Sequence, residues 1–514
     1  MTKYLYMFKA SGLQRYIFAT QPLREAIGAS QLIIELTEDY LPKTLKKLGI
    51  DDRCKTIQRA AGSAILEFDD EESLRKLYAL WPLLVGEIAP GLVIDQWAVE
   101  RSANLFADLQ RGWDALRAKR NIAPPPLPEV APVVRRSEDS GQAAVAANPS
   151  SRSGVVDAAS LRKLNIADAH QGSAAGVQTQ EVNPSWEHRE WAQQLSHIAH
   201  GEDSFMAVIH ADGNRIGGFL IEVARSIDDA DLSDDEVGNF YGDFATALNE
   251  STKKAVIDAL QCLEEDDDDA AYQGDTLPAR PVVVGGDDVT LIVPADRAVA
   301  IVERFLQAFE EHTTDMIDDL RQDYGSVQAL SERDHFTACA GIVFQKQKYP
   351  LLQGYELSEH LCGFAKKEGA KDNGTTISGL VFRRLLDSDH SDQDQWRRAD
   401  YVSPKSQVRV MAGPYALEEG QELIPLSKLR QISKGLDEGR LATNSARQII
   451  DELHQDYSMA KASFDRAEYI GGTSASAFAK QLGEACESRE RKKRGFKDLS
   501  ILPDAAILNK MEIS

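Results

Sequence analysis

Two adjacent carboxylates lie between two runs of β-branched residues in the segment "VVVGGDDVTLIV", residues 282–293. Both runs predict strands, and Gly286-Asp287 suits a two-residue hairpin turn with glycine at its first central position. Asp287 and Asp288 repel each other at the tip of such a hairpin unless a cation lies between them. An acidic surface turn is one interpretation. A divalent-cation site is the other, because magnesium prefers carboxylates and keeps coordination positions for phosphate oxygens.

A third carboxylate favours the cation site. The apolar segment "FMAVIHAD" predicts a strand that ends at Asp212. The elements after it follow the strand–helix–hairpin–helix–strand order of ferredoxin-like domains, in which the first strand neighbours the hairpin. Asp212, Asp287 and Asp288 are therefore predicted to converge. Two magnesium or manganese ions would relieve their repulsion, and two metals about 4 Å apart can clamp both reacting oxygens of a phosphoryl transfer.

The segment "DGNRIGG" after this strand combines glycines with a helix start. Gly213 and Gly217 allow a nucleotide to approach the backbone closely, and a helix N-terminus attracts phosphate oxygens. Lys366 or Lys367, near the end of a later helix, is able to balance the charge of a triphosphate. A lysine at a helix end is equally typical of a solvated surface, so this role stays open on spacing alone.

Composition limits the class of protein. The chain has 514 residues, 43% hydrophobic and 27% charged, which predicts a globular protein of three or four domains. A formal net charge of −23 argues against non-specific nucleic-acid binding outside a local basic groove. No run approaches 18 apolar residues, and the start is not a signal peptide, so we expect a cytoplasmic protein without a membrane partner. The five cysteines form no CxxC pair, which predicts no structural zinc.

The segments that must position the acids divide into four regions. Residues 1–118 and residues 201–385 each follow the ferredoxin-like order. Residues 119–200, which include "APPPLPEVAP" and a Ser/Ala/Gly-rich stretch, predict a partly disordered linker. Residues 386–514 predict a helical domain. The expected fold class is therefore α+β, with two ferredoxin-like domains and a helical C-terminal domain.

Longer segments resemble a known family. "IHADGNRIGG", "VVVGGDDVTLIV", "ACAGIVFQ" and "GFAKKEGAK" resemble the catalytic palm of the large polymerase-like subunit of type III CRISPR effector complexes. They are more distantly similar to the GGDEF nucleotidyl cyclases. "KASGLQRYIFATQPLREAIGASQLI" resembles the first, non-catalytic palm of that subunit. The resemblance covers residues 3–115 and 200–382, and the tail from "MAGPYALEEG" to "ASFDR" is similar to the family's helical C-terminal domain.

The resemblance implies that the second palm joins ATP molecules by 3′–5′ bonds into cyclic oligoadenylates, which act as second messengers in antiviral defence. It implies that Asp212 and Asp288 are the principal metal ligands and that Asp287 is a further ligand or holds the geometry of the site. The expected nucleotide-binding residues of the two palms are Gly213, Gly217, Gly285, Gly286, Lys366, Ser11 and Gly12.

Three departures from the family pattern modify this expectation. In the first palm, "AAGSAILEF" occupies the hairpin position and carries no acid, so that palm is expected to be chemically inert, with Ser11 and Gly12 opposite the Asp212 site. The chain has no His-Asp dipeptide, so DNA cleavage by an HD nuclease is not expected. Ser137 and Ser140 occupy a CxxC-like spacing where the family often has a zinc ribbon, and serine hydroxyls do not hold zinc.

The sequence thus predicts a nucleotidyltransferase that uses ATP with magnesium or manganese and makes cyclic or linear oligoadenylates. One alternative is a GGDEF-like cyclic dinucleotide synthase. Another is a structural subunit of an RNA-guided complex, whose palms bind nucleotide without turnover, although an intact acidic triad argues against it. Expected partners are nucleoside triphosphates, other subunits with guide and target RNA, and a second copy of the chain.

Overall fold

The computed structural model describes residues 2–20, 22–102, 104–119, 133–148, 154–169, 173–199, 204–229, 232–264, 274–370, 376–385, 402–403, 405–406, 408–418, 423–486 and 497–513. Short 3₁₀ or π turns are found at Leu36–Tyr40, Asp51–Arg53, Pro184–Trp186, Leu195–His197 and Gln261–Leu263.

The first domain is a four-stranded antiparallel sheet with helices on its faces. Its elements are β1 (Tyr4–Ser11), α1 (Leu13–Ile17), α2 (Leu23–Glu35), α3 (Leu41–Leu48), β2 (Cys54–Ala60), β3 (Ser63–Phe68), α4 (Glu71–Ile88), β4 (Val93–Glu100) and α5 (Leu105–Lys119). The strand order is β2-β3-β1-β4. Helix α4 begins after Asp70, whose carboxylate accepts a hydrogen bond from the Ser73 amide at 2.8 Å, as expected of an N-cap.

The region predicted as a linker is folded where the structure describes it. Its elements are β5 (Ala146–Ala147), β6 (Val155–Val156), α6 (Ala158–Ala169), β7 (Ser173–Ala174), β8 (Val177–Gln178), α7 (Thr179–Val182) and β9 (Glu190–Trp191). Helix α6 packs on α2, and Lys163 Nζ donates to the Tyr16 carbonyl at 2.7 Å. Two-residue strands are too short to show a hydrophobic period, which explains the different prediction. The proline-rich segment 123–132 lies outside the described residues.

The second domain repeats the order of the first around a larger sheet. Its elements are β10 (Phe205–Gly213), α8 (Ile216–Asp229), α9 (Asp234–Leu260), β11 (Thr276–Leu277), β12 (Arg280–Gly285), β13 (Asp288–Pro294), α10 (Ala298–Asp323), α11 (Gln328–Ser331), β14 (Ala338–Lys346), α12 (Leu351–Gly369) and β15 (Gly379–Arg384). The sheet order is β12-β13-β10-β14-β15-β16-β17. Eight of the nine residues of β10 are buried, because helices cover both faces of the central strand.

The C-terminal region is mainly helical and joins the edge of the second sheet. Its elements are β16 (Tyr415–Ala416), β17 (Ile424–Pro425), α13 (Leu426–Asp437), α14 (Thr443–Gln455), α15 (Tyr457–Cys486, kinked at Gly472) and α16 (Leu502–Ile513). The predicted α+β class, with two ferredoxin-like domains and a helical C-terminal region, is confirmed. Within the described ranges, no helix has the length and apolar character needed to cross a membrane.

The two ferredoxin-like domains pack so that each covers the hairpin edge of the other. Helix α9 contacts its own β12 and also β2 of the first domain, and α2 of the first domain contacts β12. Phe18 stacks on Tyr355 across the boundary with ring centroids 4.8 Å apart. At Gly242 on α9, a Cβ atom would lie 2.7 Å from the Ile57 carbonyl oxygen, so only glycine allows this approach. A groove remains between the domains.

Candidate functional site

The hairpin that carries the two adjacent acids forms as predicted. Gly285 pairs with Asp288, which leaves Gly286 and Asp287 as the two turn residues. Gly286 has a φ of 60°, in the left-handed region that residues with a Cβ atom rarely adopt. The sequence therefore closes a tight two-residue turn at the position of the two acids.

The structure brings the three predicted carboxylates together. Asp212 and Asp288 are directly opposed partners at the end of the antiparallel β10–β13 pair. The Asp287 carboxyl is hydrogen bonded to Asp212, and the Gly213 amide donates to the Asp287 carbonyl at 3.1 Å. A Cβ atom on Gly213 would lie 2.9 Å from Asp287 Cβ, so a glycine at this position is what lets the hairpin approach β10.

Lys366, near the end of α12, contacts this acidic group. Its Nζ donates to Asp212 Oδ2 at 2.5 Å and to the Gly213 carbonyl at 2.6 Å. Burial alone would lower the pKa of Lys366, but the ion pair with Asp212 outweighs burial and raises it. The neighbouring Lys367 is exposed. Of the two lysines considered from sequence, Lys366 is the one that reaches the acids.

The acids are buried and lie close together, so ionising all of them at once is unfavourable. Burial, followed by the charge of Asp212 and the hydrogen bond to it, raises the pKa of Asp287 to about 7. Burial, followed by the charges of Asp212 and Asp287, raises the pKa of Asp288 to about 8. His210 Nδ1 lies 3.4 Å from Asp288 Oδ1, but burial lowers the pKa of His210 to about 4. The imidazole is therefore neutral at physiological pH and does not neutralise Asp288.

The inter-domain groove has a volume of about 1150 Å³ and is lined by both ferredoxin-like domains. Gly217, Gly285, Gly286, Asp287 and Asp288 line its second-domain side. The first domain contributes strand β2 and residues of α1 and α2. Protein pockets for one small ligand usually measure about 300–1,000 Å³. The groove is therefore large enough for more than one nucleotide, with two of the three acids on its wall.

The strand register aligns the two domains differently from the sequence prediction. Lys9 of β1 pairs with Ser63 just after the first-domain turn, as Asp212 of β10 pairs with Asp288. Lys9 and Asp212 each lie four residues before the next helix. Lys9 therefore stands where Asp212 stands in the second domain, and it lines the groove. Ser11 lies two residues beyond this position.

The predicted first-domain contacts lie away from the groove. The Ser11 hydroxyl donates to the Asp95 carboxylate on β4, and Gly12 caps α1 with a φ of 65°. Neither residue belongs to the lining of the groove. Sequence reasoning missed Lys9 and also Glu359, whose charge raises the pKa of Asp288. Counting four residues back from the start of the first helix in each domain would have identified Lys9 as the equivalent of Asp212.

The acidic group suits magnesium only together with a substrate. In the part of the chain that the structure describes, no set of three or more His, Cys, Asp or Glu side chains is placed to hold a metal ion as it stands. Asp212 is paired with Lys366, whereas Asp288 Oδ1 is buried without a hydrogen-bond donor among the described residues. Such an orphaned oxygen opposite a second carboxylate fits magnesium, which takes one or two carboxylates and completes its shell with waters and phosphates.

Comparison with known proteins agrees with this geometry. Residues 205–375 match the family model of the Cas10/Cmr2 second palm domain. The chain is Cas10-like. The resemblance drawn from sequence is thus confirmed for the palm that carries the acids, and no curated protein matches the Cas10-like chain.

Solved structures extend the likeness to the fold of the whole Cas10-like chain. The crystal structure of Csm1 in T. onnurineus is 14% identical with a TM-score of 0.50, and the match covers 100% of this chain and 70% of that one. An apo Csm1-Csm4 cassette is 12% identical with a TM-score of 0.50, over 100% and 70% of the two chains. A Csm1-Csm4 cassette in complex with pppApA is 13% identical with a TM-score of 0.51, over 99% and 69%. At these identities the likeness shows the fold.

The region where the family often has a zinc ribbon does not suit zinc in this Cas10-like chain. Ser137, Ser140, Asp157 and Ser160 have the spacing of two CxxC pairs, but none is a thiol. Asp157 Oδ2 accepts from the hydroxyls of Ser140 at 2.6 Å and Ser160 at 3.1 Å, and Asp157 Oδ1 accepts from the Ser160 amide at 3.0 Å. Ser140, Asp157 and Ser160 thus form one hydrogen-bonded group, and hydroxyls are not zinc ligands.

Proposed function

We propose that this Cas10-like chain is a metal-dependent nucleotidyltransferase that joins ATP molecules by 3′–5′ bonds into oligoadenylates, cyclic or linear, in antiviral defence. The observation that carries the proposal is the direct opposition of Asp212 and Asp288 at the edge of a groove that both palms share. The groove volume of about 1150 Å³ leaves room for a donor and an acceptor nucleotide.

The reaction joins the 3′-oxygen of one nucleotide to the α-phosphorus of another. The bond from that phosphorus to the bridging oxygen breaks, pyrophosphate leaves with the electron pair, and the proton of the attacking 3′-hydroxyl passes to water. Asp212 and Asp288 would hold the metal ions, with Asp287 as a further ligand. Bound metal would lower the pKa of the attacking hydroxyl and neutralise charge on the phosphates. Carboxylates with raised pKa values, one of which has a buried oxygen without a hydrogen-bond donor among the described residues, are suited to binding metal ions for this reaction.

Groups of the chain itself would bind and orient the triphosphate. Lys366 supplies one positive charge beside Asp212, and it would exchange part of this ion pair for a phosphate contact. Helix α8 begins at Ile216, so the amides of Gly217 and its neighbours offer unpaired N–H groups and a positive helix end to phosphate oxygens. A Cβ atom on Gly217 would meet nothing within 4 Å, so the space beside this helix end is open.

Two parts of the proposal rest on the comparison alone. They are that the base is adenine and that the chain belongs to a larger assembly. The Csm1 chain of similar fold is found with Csm4 and with pppApA, a linear dinucleotide that carries a 5′-triphosphate. We infer that this chain likewise takes ATP and works with at least one further subunit of a type III complex, together with guide and target RNA.

The test is incubation of the purified chain with each nucleoside triphosphate and Mg²⁺ or Mn²⁺, followed by mass spectrometry of the products. We expect oligoadenylates and pyrophosphate from ATP, and no product from the Asp212→Asn/Asp288→Asn double variant. The control is Asp465→Asn, which removes an exposed acid on α15. Cyclic dinucleotides from GTP would favour a GGDEF-like synthase, and turnover by the double variant would place the site elsewhere.

A further inference from the structure

Two side chains of α9 form hydrogen bonds with the backbone of the turn that carries the acids. The Gly286 amide donates to Asn249 Oδ1 at 3.1 Å, and the Thr252 hydroxyl donates to the Gly286 carbonyl at 2.5 Å. Both backbone groups of this single turn residue are therefore bonded to α9. Thr252 comes three positions after Asn249, so the two residues lie on the same face of the helix.

The turn needs such support because its own sequence provides little. Gly286 has no side chain to pack, and a Cβ atom there would meet nothing within 4 Å. Asp287 and Asp288 are repelled by Asp212, as their raised pKa values indicate, and this repulsion pushes the hairpin tip away from β10. The amide of Gly213 restrains the tip on the β10 side through the Asp287 carbonyl. Helix α9 supplies the restraint on the opposite side.

We propose that Asn249 and Thr252 are positioning residues that fix the turn so that Asp287 and Asp288 meet Asp212 at the distance a bound metal requires. The proposal rests on the proposed function, because it assigns the two residues to the same metal-binding acids. Thr252 is completely buried, so its role is limited to the turn. Asn249 is exposed and lines the groove, so its amide is also within reach of a bound nucleotide.

Replacement of Thr252 isolates the positioning role. Thr252→Val keeps the size and branching of the side chain and removes only the hydroxyl. Residues that support metal ligands usually change metal affinity or activity by about 10- to 100-fold when they are replaced. We expect a loss of that size in kcat and in the affinity for Mn²⁺ measured by electron paramagnetic resonance with ATP present, whereas KM for ATP stays close to that of the parent. Thr252→Ser, which restores the hydroxyl, should recover both quantities.

The matched control is Thr44→Val, which removes another buried hydroxyl that bonds to a backbone carbonyl, here that of Tyr40 at 2.7 Å on α3. This variant is expected to keep the parent's kcat and Mn²⁺ affinity. Asn249→Ala should lower Mn²⁺ affinity like Thr252→Val and should in addition raise KM for ATP. The melting temperature of each variant, measured without metal, shows whether the fold is retained.

Two outcomes separate this inference from the proposed function. If the parent binds Mn²⁺ with ATP but makes no oligonucleotide, the proposed function fails while the positioning role is still decided by Mn²⁺ affinity. If folded Thr252→Val binds Mn²⁺ as tightly as the parent and turns over ATP at the same rate, α9 does not position the turn. Equal losses in Thr252→Val and Thr44→Val would likewise overturn the inference, because any buried hydroxyl would then have the same effect.

Discussion

Asp212 and Asp288 face each other across the final register pair of β10 and β13. Adjacent antiparallel strands bring directly opposed side chains within about 4.5–5.5 Å at Cβ, and like charges in such a pair destabilise a sheet. Lys366 forms an ion pair with Asp212, and its charge is not enough to offset burial and repulsion at Asp287 and Asp288, while the buried His210 beside Asp288 stays neutral. The metal-free protein therefore carries a local electrostatic cost that ligand binding can remove.

The first prediction concerns the pH dependence of metal-free stability. The pKa of Asp288 is about 8 in the fold and about 3.9 in an unfolded chain. The folded state therefore binds the proton more tightly, and this contribution to stability is present below about pH 4 and lost as the pH rises through about 8. We expect the free energy of unfolding in EDTA, measured by urea titration, to fall between about pH 5 and pH 8.5.

The Asp288→Asn variant provides the comparison for this titration. Asparagine has nearly the same shape and no titratable group, so the decline over this pH range should become shallower. Its stability in EDTA at about pH 8.5 should equal or exceed that of the parent, because one repelling charge is gone. A parent and a variant with parallel pH profiles would contradict the raised pKa of Asp288.

The second prediction separates the two neighbouring lysines of α12. Lys366→Met removes the ammonium group that contacts Asp212, and we expect kcat/KM for ATP to fall by about 10²-fold, the usual cost of losing one preorganised charge donor. Lys367→Met removes an exposed neighbour and should leave kcat/KM within about twofold of the parent. Initial rates of pyrophosphate release over a range of ATP concentrations measure both. Equal effects would mean that only the net charge of the helix end matters.

The third prediction assigns a role to Lys9 in the acid-free palm. Because Lys9 takes the position of Asp212 and lines the groove, it offers a cation where the second palm offers a metal ligand. We expect Lys9→Met to raise KM for ATP by about tenfold, which is one lost charged hydrogen bond, and to leave Mn²⁺ affinity unchanged. The exposed Lys47→Met serves as the control. An unchanged KM in Lys9→Met would show that Lys9 does not bind the substrate.

The fourth prediction concerns the hydrogen-bonded group around Asp157. Since this group contains no thiol and its carboxylate already accepts hydrogen bonds from Ser140 and Ser160, the parent purified without added metal should contain no stoichiometric zinc. Changing Ser137, Ser140, Asp157 and Ser160 together to cysteine should create a site for about one zinc ion per chain, because two CxxC-spaced pairs converge there. Elemental analysis measures this. A parent that retains stoichiometric zinc through purification would contradict the prediction.

Much of the site could be predicted from sequence because its signals are local. The glycines and acids of residues 285–288 predicted both the turn and its chemistry, and the strand that ends at Asp212 predicted the third acid through topology. The roles of these acids in metal binding and catalysis remain predictions. Lys366 stayed one of two choices, since sequence spacing does not show which side of a helix end faces a sheet.

Other features could not be predicted because they depend on packing between distant segments. Asn249 and Thr252 lie in a polar stretch of α9 that is typical of a solvated face, and only the position of the hairpin against α9 gives them partners. Helix α6 has little amphipathic pattern and is held by specific bonds such as that of Lys163 to Tyr16. Ser11 was expected in the groove because sequence alone does not fix strand register to within two residues.

The last prediction tests whether the acid-free palm influences the metal site through α9. Gly242 on this helix lies so close to β2 that a Cβ atom would come within 2.7 Å of the Ile57 carbonyl oxygen. Gly242→Ala must therefore displace α9 from the first palm. Asn249 and Thr252, about two and three turns further along the helix, would carry the Gly286 turn with them. We expect kcat to fall by about 10²-fold, as for a 1 Å misplacement of reacting groups, with a matching loss of Mn²⁺ affinity.

The control is Gly483→Ala on α15, where an added Cβ atom meets nothing within 4 Å. Both substitutions gain about 1 kcal/mol of helix propensity, so the difference between them isolates the contact with β2. If Gly242→Ala folds and matches Gly483→Ala in kcat and Mn²⁺ affinity, the turn is independent of how the palms pack.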